Sequence, residues 1–165
     1  RYIFDIVEGE GIIYLKMAGT SGHQEIIKDD KLGIEAPLKS EICLGAPSVK
    51  KVLRILSNIK DEALFLKIGP WSSYRGLEIK SDQEVVASTF HTFFELWNKL
   101  ERGELPKVRY LVVSGLLNLR EDELNDYLYI LYALQDYFNF LVIVNIGPPE
   151  DLEKLERYCT ENVRL

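Results

Sequence analysis

The residues of this chain that could carry out chemistry are few, and one short loop holds the best candidates. Gly19, Thr20, Ser21 and Gly22 are followed directly by His23, one of only two histidines. Backbone N–H groups of a small-residue loop can bind an anion, and a histidine beside them could transfer a proton. A tight surface turn with an exposed histidine is the commoner alternative. The loop is therefore a candidate ligand-binding site.

No other residues have the types and spacing of a catalytic or metal site. His91 lies in a predicted helix, and no cysteine–histidine pair has the spacing of a zinc site. Ser114-Gly115 lacks the Gly-x-Ser-x-Gly pattern of a nucleophilic serine. The acidic clusters Asp29-Asp30 and Glu121-Asp122-Glu123 are typical of a solvated loop and of the first turn of a helix. We predict no catalytic residue, no metal site and no cofactor.

A loop rich in aromatic and basic side chains is a candidate for partner binding. Trp71, Tyr74 and Arg75 follow the apolar run Ala63–Gly69. Side chains of these types can stack on a base or anchor a protein interface. A loop that folds back onto the core is an equally good interpretation of the same residues.

A second candidate for partner binding is a pair of tyrosines on one predicted helix. Tyr129 and Tyr132 are expected to point away from the apolar face formed by Leu124, Leu128 and Leu131. An exposed aromatic stripe of this kind is typical of a subunit interface. We therefore predict a protein partner or a homo-oligomer, with a small anionic ligand as a further candidate.

The elements that position these residues are clearest in the second half of the chain. Apolar runs over 107–115 and 140–147 are separated by an amphipathic stretch from Glu121 to Tyr137. A polar helix start over 148–151 and a final apolar segment over 163–165 follow. This order of strand, helix, strand, helix and strand predicts a buried parallel sheet.

The first half of the chain continues the alternation less regularly. Its predicted elements are β structure over 2–18 that joins the sheet, a crossover over 25–38, a strand over 41–45, a helix over 49–59 capped by Ser48, a strand over 63–69 and a helix over 82–101. The crossover is polar, weakly patterned and barely long enough to join two parallel strands, so we expect either a short helix or a mobile segment that is partly absent from the given sequence.

Together these elements predict a single α/β domain over residues 1–165, with a three-layer α/β/α architecture and a mainly parallel sheet. Ligands of such sheets bind beyond the carboxyl ends of the strands. The predicted rim segments are Gly19–His23, Gly45–Ser48, Gly69–Ser73, Ser114–Asn118 and Asn145–Pro149. Ser114 and Asn145 are therefore predicted to bind a ligand together with the Gly19–His23 loop.

Composition narrows the class of function. The chain has 165 residues, of which 47% are hydrophobic, and its net charge of −6 disfavours a nucleic-acid partner. No apolar run reaches membrane-spanning length. Cys43 and Cys159 are predicted to be reduced, buried thiols of a cytoplasmic protein. Glu and Lys far outnumber Gln, which favours a thermophile source. The chain opens at Arg1 without a methionine, which leaves room for residues upstream.

Three segments of the chain resemble parts of a known ATPase core. Arg109–Ser114 and Leu152–Leu165 resemble the Walker B strand and the closing segment of RecA/KaiC-type ATPases. Leu66–Gly69 followed by Gly76–Ile79 resembles archaeal KaiC-like proteins of unknown function, chiefly from Pyrococcus and Thermococcus. The resemblance covers about two thirds of the chain. It implies a RecA-like fold.

The groups that hold a nucleoside triphosphate in that family are missing from the matching positions. A Walker A loop uses glycines to cradle the phosphates, a lysine to neutralise them and a hydroxyl to bind magnesium. In the loop matched to it, Met17 replaces the first glycine and Gly22 stands for the second. His23 replaces the lysine and Gln24 the hydroxyl residue. Ser114 stands in place of the Walker B aspartate.

These departures decide the predicted function. We predict a degenerate RecA/KaiC-like domain that is not catalytic and acts by binding a protein partner or a small ligand. The alternative is a phosphate- or nucleotide-binding domain, or an enzyme, that uses the Gly19–His23 loop for a phosphorylated compound.

Overall fold

A computed structural model describes residues 4–9, 12–17, 25–68, 89–90 and 93–165, with side chains described in 25–68 and 95–165. The strands in these residues are β1 (Phe4–Gly9), β2 (Ile12–Met17), β3 (Ile26–Asp29), β4 (Ile34–Pro37), β5 (Glu41–Ala46), β6 (Ala63–Lys67), β7 (Thr89–Phe90), β8 (Tyr110–Ser114), β9 (Phe140–Ile146) and β10 (Glu161–Arg164). The α-helices are α1 (Val49–Ile59), α2 (Phe93–Glu101), α3 (Glu121–Tyr132) and α4 (Pro149–Glu156).

Among the described residues, the main sheet has six strands in the order β10-β5-β9-β8-β6-β7, and every neighbouring pair is parallel. Its central strands are buried along nearly their whole length. All residues of β8 and all but the last of β9 are buried. A parallel sheet that helices cover on both faces needs such continuous apolar runs, which explains why the two strands were visible in the sequence.

Helices cover both faces of the sheet, which confirms the predicted three-layer α/β/α architecture. On one face, here called the α1 face, Val142 and Val144 pack in the same cluster as α1 and the β3–β4 hairpin. On the other, the α3 face, Leu141 and Ile143 pack with α2, α3 and α4. Successive residues of each strand therefore point to opposite faces, as strand geometry requires.

The first helix matches its predicted bounds. Its side chains Val52, Leu56 and Ile59 are fully buried, at the spacing of one helical face. Ser48 occupies the N-cap position with extended backbone, but its side chain makes no capping hydrogen bond. The first-turn N–H groups of α1 consequently lack the side-chain partner that a serine cap usually supplies.

The predictions for residues 2–38 were wrong in part. β2 pairs with β1 in a separate antiparallel sheet and does not belong to the parallel sheet. The predicted crossover is the antiparallel β3–β4 hairpin, whose turn contains Gly33 at φ 68°. Ile34 and Ala36 are buried and Glu35 is exposed, so the segment does alternate with a period of two.

Two predicted helices also have different bounds. The stretch over 82–101 was predicted to be wholly helical, but Thr89–Phe90 pairs with β6 as an edge strand and α2 begins only at Phe93. The helix predicted to reach Tyr137 ends at Tyr132, and a separate 3-10 turn covers Gln135–Tyr137.

The predicted reduced state of the two cysteines was also wrong. Cys43 of β5 and Cys159, which precedes β10, form a disulfide with a Cα–Cα distance of 5.7 Å. Their separation of 116 residues in sequence concealed this contact. It arises because β10 lies directly beside β5 in the sheet. Within the described part of the chain, no helix is both long and apolar enough to cross a membrane.

Candidate functional site

The strand order places a topological switch point between β5 and β9. The chain leaves β5 toward α1 on one face and leaves β9 toward α4 on the other, and parallel α/β sheets bind ligands beside such a point. Gly147 N–H donates to the Ala46 carbonyl at 3.0 Å and ties the two strand ends together. The candidate site is therefore the carboxyl rim around β5, β8 and β9.

The connection from β5 to α1 consists of only Pro47 and Ser48. A phosphate-binding loop at this position needs several backbone N–H groups that converge on the ligand. Proline has no N–H, and a two-residue turn leaves no room for a cradle. The first turns of α1 supply Lys50 and Lys51 at the surface, but the next residue is the buried Val52 and not a hydroxyl residue.

The carboxyl end of β8 carries a hydroxyl where a metal-binding site would need a carboxylate. Ser114 is 6% exposed and lies beside Lys67 of β6, which is equally buried. The Ser114 carbonyl accepts a hydrogen bond from the Ile68 N–H at 2.9 Å. A lone serine hydroxyl is a poor ligand for magnesium, which prefers carboxylates and phosphate oxygens.

The residue after Ser114 closes this end of the rim by backbone contact. Gly115 has φ 86°, and a Cβ atom built on it would lie 2.0 Å from the Ile68 carbonyl oxygen. The Asn118 side chain donates to the same oxygen at 3.2 Å. Only glycine fits here, since a side chain would meet both the wrong backbone conformation and an immovable carbonyl.

The two predicted ligand residues of the sheet do not converge. Asn145 is 3% exposed and lies one residue before the end of β9, opposite Gly45 of β5. Because strand residues alternate, its side chain points to the α3 face, whereas that of Ser114 points to the α1 face. They share an edge of the sheet but not a pocket. Gly19, Thr20, Ser21, Gly22 and His23 lie outside the described residues.

The structure describes only two of the five predicted partner-binding residues. Trp71, Tyr74 and Arg75 lie outside the described residues. Tyr129 is half-buried. Tyr132 was expected to be exposed, and this was wrong: it is 7% exposed, and its hydroxyl donates to the Lys39 carbonyl at 3.3 Å. Tyr132 follows the buried Leu128 by four residues and therefore lies on the same helical face.

Clefts open on the described surface between α3 and α4 and along α1. One, of about 480 Å³, lies between the start of α3 and α4; Leu119 and Leu155 are among the residues that line it, and the Arg157–Glu121 ion pair at 2.6 Å lies on it. The second, here called the α1 cleft, has about 490 Å³ and is lined by Lys50, Lys51, Arg54, Ile55 and Leu165. Neither cleft was predicted from the sequence, because each joins elements that are distant in the chain.

A buried carboxylate without a hydrogen bond lies at the opposite, amino edge of the sheet. Glu41 is 1% exposed, and among the described residues neither carboxylate oxygen has a hydrogen-bond partner. The nearby Tyr132 hydroxyl donates to Lys39, and Thr160 Oγ1 donates to the Glu41 carbonyl at 3.0 Å. Burial raises the pKa of Glu41 to about 7, and the neighbouring hydroxyls offset this only partly.

A second buried acid is fully paired. Asp29, predicted to lie in a solvated loop, is 1% exposed. Its carboxylate accepts hydrogen bonds from Arg109 Nε at 2.8 Å, the Tyr110 hydroxyl at 2.5 Å and the Leu32 N–H at 2.8 Å. Burial alone would raise the pKa of Asp29, but these bonds outweigh it and lower the pKa. The network joins the β3–β4 hairpin to β8 and is structural.

Neither cluster has the composition of a metal site. Across 25–68 and 95–165, three or more histidine, cysteine or acidic side chains nowhere come close enough together to hold a metal ion. Comparison with known protein families and with curated protein sequences finds no match for this chain. The function is therefore inferred from the geometry of the site alone.

Proposed function

We propose that this chain is a non-catalytic binding domain, built on the scaffold of a RecA/KaiC-type ATPase, that binds a protein partner or a small anionic ligand. One observation carries the proposal. The β5–α1 connection, where such a scaffold would hold a phosphate loop, is the two-residue turn Pro47-Ser48. A parallel sheet with helices on both faces supports the scaffold.

Three separate requirements of phosphoryl transfer are unmet at the rim. Catalysis of that reaction consists mainly of positioning and charge neutralisation, so it depends on a backbone cradle, a hydroxyl and a carboxylate that hold magnesium. Here Pro47 removes an N–H, the buried Val52 stands where the hydroxyl would follow Lys51, and Ser114 replaces the carboxylate. Restoring one of them would not restore the others.

The proposed location is the cytoplasm of a thermophile. Disulfides are rare in the cytosol of mesophiles, but intracellular proteins of hyperthermophiles are rich in them. The Cys43–Cys159 bond and the excess of Glu and Lys over Gln therefore support a thermophile source together. An archaeal KaiC-like origin is part of the same proposal.

A phosphate-release assay with Mg-ATP tests the absence of catalysis. The purified chain is expected to release no phosphate above the level of a boiled sample. Turnover that Ser114→Ala abolishes would overturn the proposal, since it would place catalysis at this rim. Thermal stabilisation by phosphate that disappears in Gly22→Ala and His23→Ala would instead favour the Gly19–His23 loop as a ligand site.

A further inference from the structure

We propose that the α1 cleft is a docking surface for an acidic, extended segment of a protein partner. This inference rests on the proposed binding function and gives it a location and a partner chemistry. The cleft of about 490 Å³ lies along the outer side of α1, next to the edge strand β10.

The charge of the α1 cleft suits an acidic partner. Lys50, Lys51 and Arg54 are exposed, and none forms an ion pair with a described residue. Many other surface cations of the described chain are paired, among them Lys31 with Glu62, Arg120 with Glu123, Arg157 with Glu121 and Arg164 with Glu156. α1 has no acidic residue, although the whole chain carries a net charge of −6. The cleft is thus locally positive on an acidic protein.

The backbone at the start of α1 also favours an acidic partner. The helix dipole places partial positive charge at this end, and Ser48 does not cap it with its side chain. Lys50 and Lys51 lie in the first turn, where they add to that charge and do not compensate it. A carboxylate of a partner would neutralise part of this positive charge.

The apolar part of the α1 cleft suits a segment that also carries aliphatic side chains. Ile55 and Leu165 add apolar surface to the cleft, and the Leu165 N–H donates to the Gly45 carbonyl at 2.9 Å. A segment that alternates acidic and aliphatic side chains would place its carboxylates on the cations and its aliphatic groups on Ile55 and Leu165. An extended strand presents such an alternation on its two sides.

The same residues disfavour nucleic acid as the occupant. No aromatic side chain is among the described residues that line the α1 cleft, so these residues offer a base nothing to stack on. The net charge of −6 would also repel a polyphosphate backbone beyond the three cations. A protein segment with a few carboxylates requires only the local charge.

Fluorescence anisotropy with defined probes tests the proposal. The probe is a labelled synthetic peptide of alternating glutamate and leucine at low salt, and the counter-probe alternates lysine and leucine. The test variant combines Lys50→Glu, Lys51→Glu and Arg54→Glu. The matched control combines Lys28→Glu, Lys60→Glu and Lys107→Glu, three exposed cations outside the cleft that likewise pair with no described residue. Both variants make the same change in net charge.

We expect the wild-type chain and the control variant to bind the acidic peptide, with affinity that falls as salt is added. The test variant should bind at least ~10-fold more weakly, as loss of three complementary charges predicts. Arg54→Gln alone should give a smaller loss in the same direction, which guards against misfolding of the triple variant.

Several results would overturn the docking surface. These are no binding by the wild type, equal binding by the test variant, equal loss in the control variant, or equal binding of the lysine peptide. Tighter binding of single-stranded DNA that the test variant loses would assign the cleft to nucleic acid. If peptide binding fails while Mg-ATP is not hydrolysed, only this surface is wrong; ATP turnover would overturn the proposed function separately.

Discussion

Ionisation of Glu41 should lower the stability of the folded chain. Its pKa of about 7 in the folded chain exceeds the ordinary value of 4.5, so the folded state holds its proton more tightly than the unfolded state does. Its contribution to stability is fully present below the unfolded pKa. It is lost as pH rises toward the folded pKa and changes no further above it. The upper bound is roughly 3.5 kcal/mol, because each pKa unit corresponds to about 1.4 kcal/mol.

Urea unfolding as a function of pH measures this effect. Wild-type stability should fall between pH 4.5 and about 7 more steeply than that of Glu41→Gln, which cannot ionise. Glu35→Gln, at an exposed position of the neighbouring strand β4, is the control and should follow the wild type. Parallel curves for wild type and Glu41→Gln would contradict the raised pKa.

Asp29 should behave in the opposite sense. Its pKa is lowered in the folded chain, so its contribution is present above the ordinary value of 3.8 and is lost as pH falls below it. Asp29→Asn removes the negative charge that pairs with Arg109 and leaves at least one of the three donors without an acceptor. It should cost about 2 kcal/mol, below the value for a fully buried pair because Arg109 is partly exposed.

The control for Asp29 is its exposed neighbour. Asp30→Asn should change the urea midpoint little, because Asp30 is at the surface. Equal effects of the two substitutions near neutral pH would show that the network with Arg109 does not hold the hairpin. Asp29 and Asp30 cannot be told apart in the sequence, since adjacent acids in a polar stretch do not show which one contacts a distant arginine.

At the scale of elements, the predictable parts were those whose pattern is local. The runs that became β8 and β9 are apolar throughout, and α1 shows a three-and-four spacing, so each identifies itself without its neighbours. The β3–β4 hairpin was missed because its strands have only four residues each and the exposed Ile26 breaks the apolar alternation. Its stability depends on the Asp29–Arg109 contact, across 80 positions of sequence. The clefts were missed for the same reason.

The rim turn after β8 offers a test of one element. Gly115→Ala should be strongly destabilising, by at least about 2 kcal/mol, because a left-handed backbone and a clash with the Ile68 carbonyl act together. Gly103 has a similar φ of 68° with no atom within 4 Å of the added Cβ. Gly103→Ala should therefore cost only about 1 kcal/mol. Equal urea midpoints for the two variants would contradict the close approach at Gly115.

At the scale of the whole molecule, the disulfide links β5 to the segment before β10. It spans 116 residues, and cross-linking so long a loop stabilises by roughly 4 to 5 kcal/mol in the chain-entropy account. A reductant should lower the thermal midpoint of the wild type but not of the Cys43→Ala/Cys159→Ala variant. Two reactive thiols in the denatured, non-reduced protein would contradict the bond.

Whole-molecule features also show why function was harder to predict than fold. From the sequence, the phosphate loop was matched to residues 17–24, whereas the first strand of the parallel sheet among the described residues is β5. Its exit is Pro47-Ser48, and only the strand order reveals that this turn occupies the switch point. Ser114 was placed at the rim correctly, but strand alternation separates its side chain from that of Asn145.

Isothermal titration of the chain with ATP, with and without magnesium, tests the central claim most directly. We propose that the chain keeps the scaffold of a RecA/KaiC-type ATPase but lacks the groups that bind a nucleoside triphosphate. We expect no magnesium-dependent heat of binding, and Lys51→Ala should give the same trace as the wild type. A saturable, magnesium-dependent isotherm that Lys51→Ala removes would contradict the claim, because it would show that the start of α1 still holds the nucleotide.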